Sequence, residues 1–225
     1  MSSGREAFLN RVRQALAAGN RPGDSADVAP RGEVGYQGAG PDPVGRFRVE
    51  FTAAGGTCHI VPDPDAGLAR VLDLVAAKSA RRVIVSRSPF LERFPLAQRL
   101  RAAGIEVTTV ETLSPETARE PLFAADVGIT GADYLIAETG SVVLLARAAE
   151  PRSVSLLPPV HVVLAHRGQI LADLFDLFTP ERRAGLPSCV TLITGPSKTG
   201  DIELRLVTGV HGPGEIHVVL IDRPE

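Results

Sequence analysis

Short apolar runs alternate with amphipathic stretches through the first half of the chain. Thr57–Val61 has the length and composition of a buried strand, and Asp63-Pro64 then supplies an N-cap and a proline at the first helical position. The same alternation predicts further strands at 82–86 and 105–110 and helices after Pro64 and at 96–103. Strands that alternate with helices are joined by crossovers, so we expect them to pair in parallel.

Strand-like runs follow one another more closely in the second half, which predicts antiparallel or mixed additions to the sheet. One helix is expected from Ser114-Pro115 to about Ala125, and an amphipathic one over 169–178. The strand candidates are 127–130, 141–145, 153–157, 161–166, 189–194 and 216–221. Together the elements predict a three-layer α/β domain around one mixed, mostly parallel sheet.

The N-terminal part of the chain has a different character. Arg5–Ala18 fits an amphipathic helix, and glycine and proline then occupy eleven positions between Gly19 and Gly45. Such a stretch does not bury enough surface to fold alone. We expect residues 1–45 to form a helix and a linker or ordered arm that packs on a neighbouring subunit or a partner. Residues 46–225 are expected to form the folded domain.

Val44–Ala54 fits two different elements. Phe47, Val49 and Phe51 alternate as in a strand, whereas Val44, Phe47 and Phe51 have the spacing of one helix face. Gly55-Gly56 would stop such a helix.

Composition excludes several classes of function. The formal net charge of −2 gives no electrostatic reason to expect nucleic acid or an anionic membrane as a partner. No apolar run is long enough to span a bilayer and no signal-peptide pattern is present, so we expect a cytoplasmic protein. Cys58 and Cys189 are too few for an iron–sulfur cluster, which usually has about four cysteine ligands. No metal site or cofactor is predicted.

Three glycine-containing polar turns interrupt the apolar runs of the C-terminal half. They lie at 128–141, 193–203 and 209–214. In open α/β sheets ligands bind beyond the carboxyl ends of the strands, so we expect the three turns to share one site at that edge.

Glu138 is the first catalytic candidate. It lies between two apolar runs, where desolvation would suit it to accept a proton or attack an electrophile. Alternatively it caps a turn in which Gly140 has positive φ. Its neighbours Thr139, Gly140 and Ser141 are ligand-binding candidates.

The second turn resembles the end of a phosphate-binding loop, although Val190 stands where that motif has its first glycine. It either binds an anion through Lys198 or is a solvated turn. Asp201 and Glu203 would share one face of a strand, where they could share a proton or pair with Lys198 or Arg205. Asp201 is the second catalytic candidate. The ligand-binding candidates here are Gly195, Pro196, Ser197, Lys198, Thr199 and Glu203.

His211 is the third catalytic candidate, because it lies between glycines in a turn and has a near-neutral ordinary pKa. Gly212 beside it is a ligand-binding candidate. Thr130 and Asp133 are further ligand-binding candidates, although Thr-Gly-Ala-Asp also forms an ordinary Asx-type turn. His161 and His166 flank an apolar strand and are expected to be edge or core residues.

These turns resemble the lactate utilization protein C family, which carries the LUD domain. The matching segments are Gly-Ile-Thr-Gly-Ala-Asp (128–133), Ala-Glu-Thr-Gly-Ser (137–141), Leu-Leu-Pro-Pro-Val-His (156–161), Thr-Gly-Pro-Ser-Lys-Thr-Gly-Asp-Ile-Glu (194–203) and Gly-Val-His-Gly-Pro (209–213). The chain departs mildly from the family at Ser141, Lys198 and Gly200, where threonine, arginine and alanine are usual. Lysine keeps the charge but lacks the bidentate fork of arginine.

The resemblance implies a Rossmann-like α/β/α sandwich similar to the NagB/RpiA/CoA-transferase group. It also implies a role in the bacterial oxidation of L-lactate to pyruvate beside iron–sulfur partner proteins, with this chain binding a small anionic ligand or docking the partners. Two alternatives stay open: an isomerase- or CoA-transferase-like enzyme with Glu138 as nucleophile or base, and a ligand-sensing regulatory module. A homo-oligomer is compatible with each of them.

Overall fold

The computed structural model of the chain describes residues 4–19, 38–114, 116–147, 150–179, 182, 185–200 and 207–223. Residues 1–37 and 38–225 form separate compact units. The first contains helix α1 (Gly4–Gly19), which confirms the predicted N-terminal helix. Its side chains Phe8, Val12 and Leu16 are exposed. No helix within the described residues combines the length and apolarity that a bilayer crossing requires.

Within the described residues, the second unit contains six further α-helices and twelve strands, together with short 3-10 turns. The helices are α2 (Pro43–Ala53), α3 (Pro64–Ala77), α4 (Leu96–Ala102), α5 (Arg119–Ala124), α6 (Ser153–Leu156) and α7 (Leu174–Leu177). The strands are β1 (Thr57–Val61), β2 (Arg82–Val85), β3 (Glu106–Thr109), β4 (Val127–Gly131), β5 (Tyr134–Ile136), β6 (Ser141–Leu145), β7 (Val160–His166), β8 (Ile170–Leu171), β9 (Val190–Ile193), β10 (Lys198–Thr199), β11 (Val207–Thr208) and β12 (Glu215–Ile221).

The central sheet has six parallel strands in the order β1-β12-β7-β4-β2-β3. All of them therefore begin at one edge of the sheet and end at the other. We call these the amino edge, which includes Val160 and Glu215, and the carboxyl edge, which includes His166 and Ile221. The chain moves towards β3 after β2 and towards β12 after β4, so the strand order reverses between β2 and β4.

Helices α3 and α4 cover one face of the central sheet. Asp63 accepts a hydrogen bond from the Ala66 amide at 2.8 Å and Pro64 occupies the first turn, so α3 begins as the sequence predicts. Val71 of α3 and Leu100 of α4 are fully buried against β-branched strand residues. Burial of this apolar surface is the main stabilising contribution on this side.

The other face is covered by α2 and a second sheet with the order β8-β5-β6-β9. Val44, Phe47 and Phe51 are buried and Val49 is exposed, so the helical spacing decides the structure of this segment. The stacked rings of Phe47 and Phe51 lie 5.4 Å apart. The domain therefore has three layers: α2 with the second sheet, the central parallel sheet, and α3 with α4. This arrangement confirms the predicted three-layer α/β fold.

Three sequence expectations about local structure are wrong. Residues 153–157 form helix α6 instead of a strand, because Gly128 of β4 lets the backbone at Val154 pack directly on the sheet. Residues 169–178 are not one helix: β8 pairs with β5, and Asp173 then caps the short α7. The helix expected from Ser114 begins only at Arg119, because the Ser114 amide is bound by the hydroxyl of Thr117 in a turn.

Candidate functional site

The first two polar turns are joined by a chain of hydroxyl groups. Thr139 Oγ1 lies 2.7 Å from Ser141 Oγ, which lies 2.6 Å from Thr194 Oγ1. Ser141 begins β6 and Thr194 follows β9, its antiparallel neighbour. The pairing of these two strands therefore brings the 137–141 turn against the start of the 194–199 turn.

Backbone hydrogen bonds join the second turn to the third. The Ser197 amide donates to the carbonyl oxygen of Pro213 at 2.9 Å, and the Gly209 amide donates to the carbonyl oxygen of Ser197 at 2.9 Å. The 137–141 part of the first turn, the second turn and the third turn consequently form one contiguous surface.

That surface does not lie where the sequence predicts it. The amides of Gly214 and Glu215 both donate to the carbonyl oxygen of Pro159, directly before β12 and β7 begin, so the second and third turns lie at the amino edge. The expectation of a shared site at the carboxyl edge is therefore wrong for these two turns. The physical reason is that β9 belongs to the second sheet. Its last residue lies near the amino edge of the central sheet, so the turn that follows lies there too.

These turns enclose a cavity of about 210 Å³, which we call the amino-edge cavity. Strand β9, helix α6 and two of the turns form its walls. It contains five of the predicted residues, namely Gly195, Pro196, Ser197, His211 and Gly212. His211 is exposed at its rim. Sequence reasoning missed four further polar residues that line it, which are Ser155, His161, Thr191 and Thr194.

His161 lies under the floor of the amino-edge cavity. Its ring is fully buried, and its Nε2 lies 2.9 Å from Thr130 Oγ1 of the neighbouring strand. Its Nδ1 has no hydrogen-bond partner among the described residues. Burial lowers the pKa of His161 to about 3, so the ring is neutral at pH 7. The expectation that His161 is a core residue is met. It is the one polar position inside the apolar strand β7, and this was the sequence signal that it could also line a site.

Ser155 reaches the cavity because α6 packs unusually close to the sheet. A side chain at Gly128 would overlap the Val154 carbonyl oxygen, so glycine is required there. The Ser155 hydroxyl donates to the carbonyl oxygen of Arg152 at 3.0 Å, which leaves its lone pairs available to a ligand donor.

Glu138 and Lys198 are not walls of this cavity. Glu138 is half-buried in the β5–β6 turn, where its amide donates to the carbonyl oxygen of Ala172 at 3.1 Å. The turn is fixed by Gly140, whose φ is +61° and whose α-carbon packs on the backbone of Phe51. The sequence predicts that Glu138, Lys198, Asp201 and His211 converge on one pocket. Of these only His211 lies at the cavity, and Asp201 lies outside the described residues.

Lys198 has a structural contact instead of a place at the cavity. Its Nζ donates to the carbonyl oxygen of Ala54 at 2.6 Å, at the C-terminus of α2, where a cation also complements the helix dipole. Thr199 pairs with Val207 in the β10–β11 ribbon. Asp201 and Glu203 lie outside the described residues.

Thr130 and Asp133 lie towards the carboxyl edge, apart from the other candidates. Asp133 accepts a hydrogen bond from the Leu145 amide at 2.6 Å and pairs with Arg147 at 2.5 Å. Arg147 also pairs with Glu150, whose pKa is raised by burial. The crevice beside them, at the point where the strand order reverses, has only about 20 Å³ of free space, which is room for about one water.

Metal donors are not gathered in the described part of the chain, where no group of three or more histidine, cysteine, aspartate and glutamate side chains could hold an ion. Cys58 and Cys189 are free and half-buried. Burial raises the pKa of Cys58 to about 12, so it is a thiol at neutral pH.

Comparisons with known proteins agree with this architecture. The family model described as LUD domain matches residues 44–221. Lactate utilization protein C of Halalkalibacterium halodurans is 33% identical over 97% of this chain and 98% of its own length. The same-named protein of Geobacillus kaustophilus is 35% identical over 66% of each chain.

A solved structure supports the fold alone. The crystal structure of a DUF162 family protein from Deinococcus radiodurans superposes with a TM-score of 0.54 at 23% identity, over 80% of this chain and 96% of that one. The matches in sequence extend from α2 to β12 and so include all three polar turns. The chain belongs to the LUD domain family, among the lactate utilization C proteins.

Proposed function

We propose that this protein acts in lactate utilization as a cytoplasmic subunit without a redox cofactor of its own. In this role it works beside iron–sulfur proteins that carry the electrons when L-lactate is oxidised to pyruvate. The name of a relative that matches nearly the whole chain supports a role in lactate utilization. The presence of only two cysteines supports a division of labour in which clusters belong to the partners.

The amino-edge cavity is the proposed ligand site. The observation that carries this proposal is that the second and third polar turns identified from the sequence both line the cavity. At about 210 Å³ it is smaller than the sites that hold drug-sized ligands, so it suits a molecule of a few heavy atoms, such as a short organic acid. Thr191 and Ser197 supply hydroxyl groups that can donate to a ligand, whereas the Ser155 hydroxyl donates to Arg152 and can only accept from one. No lysine or arginine lies among its described walls, so a carboxylate would be held by hydroxyl and amide donors near His211.

Docking of the partner proteins is a second candidate role, and α1 is the observation that favours it. The side chains of Phe8 and Leu16 are 57% and 59% exposed, on one stripe of a helix that also carries Arg5, Arg11 and Arg13. Such a stripe suits a groove on another protein. Substituting Phe8 and Leu16 by serine should abolish co-purification with the iron–sulfur partners, whereas Asn10→Ser on the same helix should not.

Growth on L-lactate tests the pathway. A strain that lacks the gene is complemented with the wild type and with Thr191→Phe, which fills the cavity. We expect the wild type to restore growth and Thr191→Phe to fail. Val207→Phe, which adds a phenyl ring on the exposed ribbon, is the control. If the deletion strain grows normally on lactate, the role in lactate utilization is wrong.

Thermal unfolding with L-lactate, pyruvate, CoA and sugar phosphates tests the site. A ligand at ten times its Kd stabilises the folded chain by about 1.4 kcal/mol, which raises Tm by roughly 3–6 °C in a protein of this size. The shift should occur for a small organic acid and disappear in Thr191→Phe, while Val207→Phe keeps it. Equal Tm shifts in both variants would show that the ligand binds outside the amino-edge cavity.

The transferase-like alternative makes its own prediction, although no described contact places Glu138 at the cavity. Mass spectrometry after incubation with acyl-CoA donors would show an acyl adduct on Glu138 if that alternative holds. The regulatory alternative instead requires ligand binding without any dependence of growth on the protein.

A further inference from the structure

A second pocket of about 360 Å³ lies at the carboxyl edge of the central sheet, on the face that α3 and α4 cover. The ends of β7 and β12 form its base at His166 and Ile221. The segment between β2 and α4 forms one wall and the start of α3 another. Its described walls are Pro64, Phe90, Arg93, Phe94, His166, Ile221 and Arg223. We call it the arginine pocket.

Two arginines of this pocket have no ion-pair partner among the described residues. These are Arg93 and Arg223, and both are exposed to solvent at the pocket. Nearby arginines are neutralised: Arg167 pairs with Asp222 at 2.7 Å, and Arg87 pairs with Glu92. No carboxylate belongs to the described walls, which carry two positive charges from groups that are always ionised.

The amino end of α3 does not supply the anion donors here. Asp63 already accepts the Ala66 amide at 2.8 Å, and Pro64 has no N–H to offer. Asp63 and Asp65 also place negative charge at this helix end. Recognition of an anion therefore rests on the two guanidinium groups.

Aromatic rings hold one of these guanidinium groups in place. The rings of Phe90 and Phe94 pack edge to face with their centres 5.3 Å apart. The guanidinium carbon of Arg93 lies 5.8 Å from the centre of the Phe90 ring. A cation stacked in this way keeps its N–H edge for a second partner, and the rings offer an apolar surface to a flat group.

We propose that the arginine pocket binds a phosphomonoester carried on a planar ring, such as a mononucleotide. Two guanidinium groups balance the charge of a phosphate, about −1.5 to −2 at pH 7, better than the single charge of a carboxylate. The pocket volume falls within the range of small-molecule sites, and its position beyond the ends of parallel strands is where α/β sheets commonly bind ligands. The site is independent of the amino-edge cavity and of a role in lactate utilization.

Titration calorimetry on the full chain tests the proposal with three probes, AMP, adenosine and inorganic phosphate. AMP should bind most tightly, because it alone has both the ring and the dianion. Arg93→Gln and Arg223→Gln should each weaken AMP binding about tenfold, since a hydrogen bond to a charged group contributes about that factor. The double variant should lose measurable binding. Arg99→Gln on α4, outside the pocket, removes the same charge and should bind AMP as the wild type does.

Three results would overturn the proposal. They are an absence of AMP binding at millimolar concentration, unchanged binding in the double variant, and adenosine binding as tightly as AMP. Circular dichroism confirms that each variant is folded. The cavity-filled variant Thr191→Phe should keep AMP binding, so failure of the arginine pocket and failure of the amino-edge cavity are separate outcomes.

Discussion

The two edges of the central sheet carry pockets of opposite character. The amino-edge cavity is built from hydroxyl groups, glycine turns and a neutral histidine, and none of its described walls is permanently charged. The arginine pocket is built from a pair of phenylalanines and two arginines that have no ion-pair partner in the described part of the chain. In our proposals the first pocket selects a ligand by shape and hydrogen bonds, whereas the second selects it by charge.

This difference follows from how the chain reaches each edge. Parallel strands of the central sheet end at the carboxyl edge, and their loops form the arginine pocket. The amino-edge cavity forms because β9, an antiparallel strand of the second sheet, ends near the amino edge of the central sheet. The polar turn at Gly195 follows β9 and therefore lies at that edge. Salt should therefore weaken binding at the arginine pocket and have little effect at the amino-edge cavity.

The largest effect is expected where the amino-edge turns are anchored. Gly140→Ala places a methyl group on the backbone of Phe51 at a φ of +61°, so both strain and overlap act on the turn. We expect a loss of about 4 kcal/mol in the free energy of unfolding by denaturant titration. Gly104→Ala is the control, because Gly104 has φ +81° but open space around it, and should cost about 1 kcal/mol. Equal losses would show that the turn does not depend on contact with α2.

Acid should destabilise the amino-edge side through His161. Its folded pKa of about 3 lies below the unfolded value of 6.5, so its stabilising contribution is complete above pH 6.5 and is lost as pH falls towards 3. Between pH 7 and 4.5 we expect a loss on the order of 2–3 kcal/mol. Burial also lowers the pKa of His59 to about 4 and that of His217, in the same direction. His161→Gln should flatten the pH dependence measured by denaturant titration, and His211→Gln at the exposed rim should not.

Asp133 should prove structural at the carboxyl edge. Asp133→Ala leaves the Leu145 amide and Arg147 without their acceptor, so we expect a loss of about 2 kcal/mol in stability. Thermal shifts by a cavity ligand should be unchanged. If Asp133→Ala keeps its stability but loses ligand binding, Asp133 is a ligand-binding residue, as the sequence predicts.

The smallest effect is expected at Lys198. Lys198→Met removes the hydrogen bond to Ala54 at the end of α2 and should lower stability by about 1 kcal/mol. Lys198→Arg should retain most of it. A loss of ligand-binding free energy larger than the loss of stability would contradict this structural role and would indicate that Lys198 binds the ligand.

Local signals in the sequence were sufficient for most of the fold. Asp63-Pro64 marks the start of α3 and the apolar run at 57–61 marks β1, because capping and strand burial depend on neighbouring residues. The segment at 153–157 has the same apolar character but forms α6. Its structure depends on Gly128, a distant residue in the chain that no local pattern connects to it.

The sequence predicted some of the residues at the candidate site better than it predicted the edge of the sheet where the site lies. Ser197 and His211 were identified from turn composition, and both line the amino-edge cavity. Its edge could not be inferred, because membership of β9 in a second sheet is a matter of long-range pairing. His161 was overlooked as a wall of the cavity because a histidine in an apolar strand is typical of a core. The cavity above it is formed by residues that are distant in the sequence.

Imidazole nitrogen NMR on the ¹⁵N-histidine-labelled chain tests the central claim most directly. The ligand added is L-lactate, or pyruvate where lactate gives no thermal shift. We predict that the nitrogen resonances of His161 and His211 move with ligand concentration, while those of His59 and His217, on the opposite face of the sheet, stay in place. Resonances that all remain fixed, or that move only at His59 and His217, would contradict a ligand site in the amino-edge cavity.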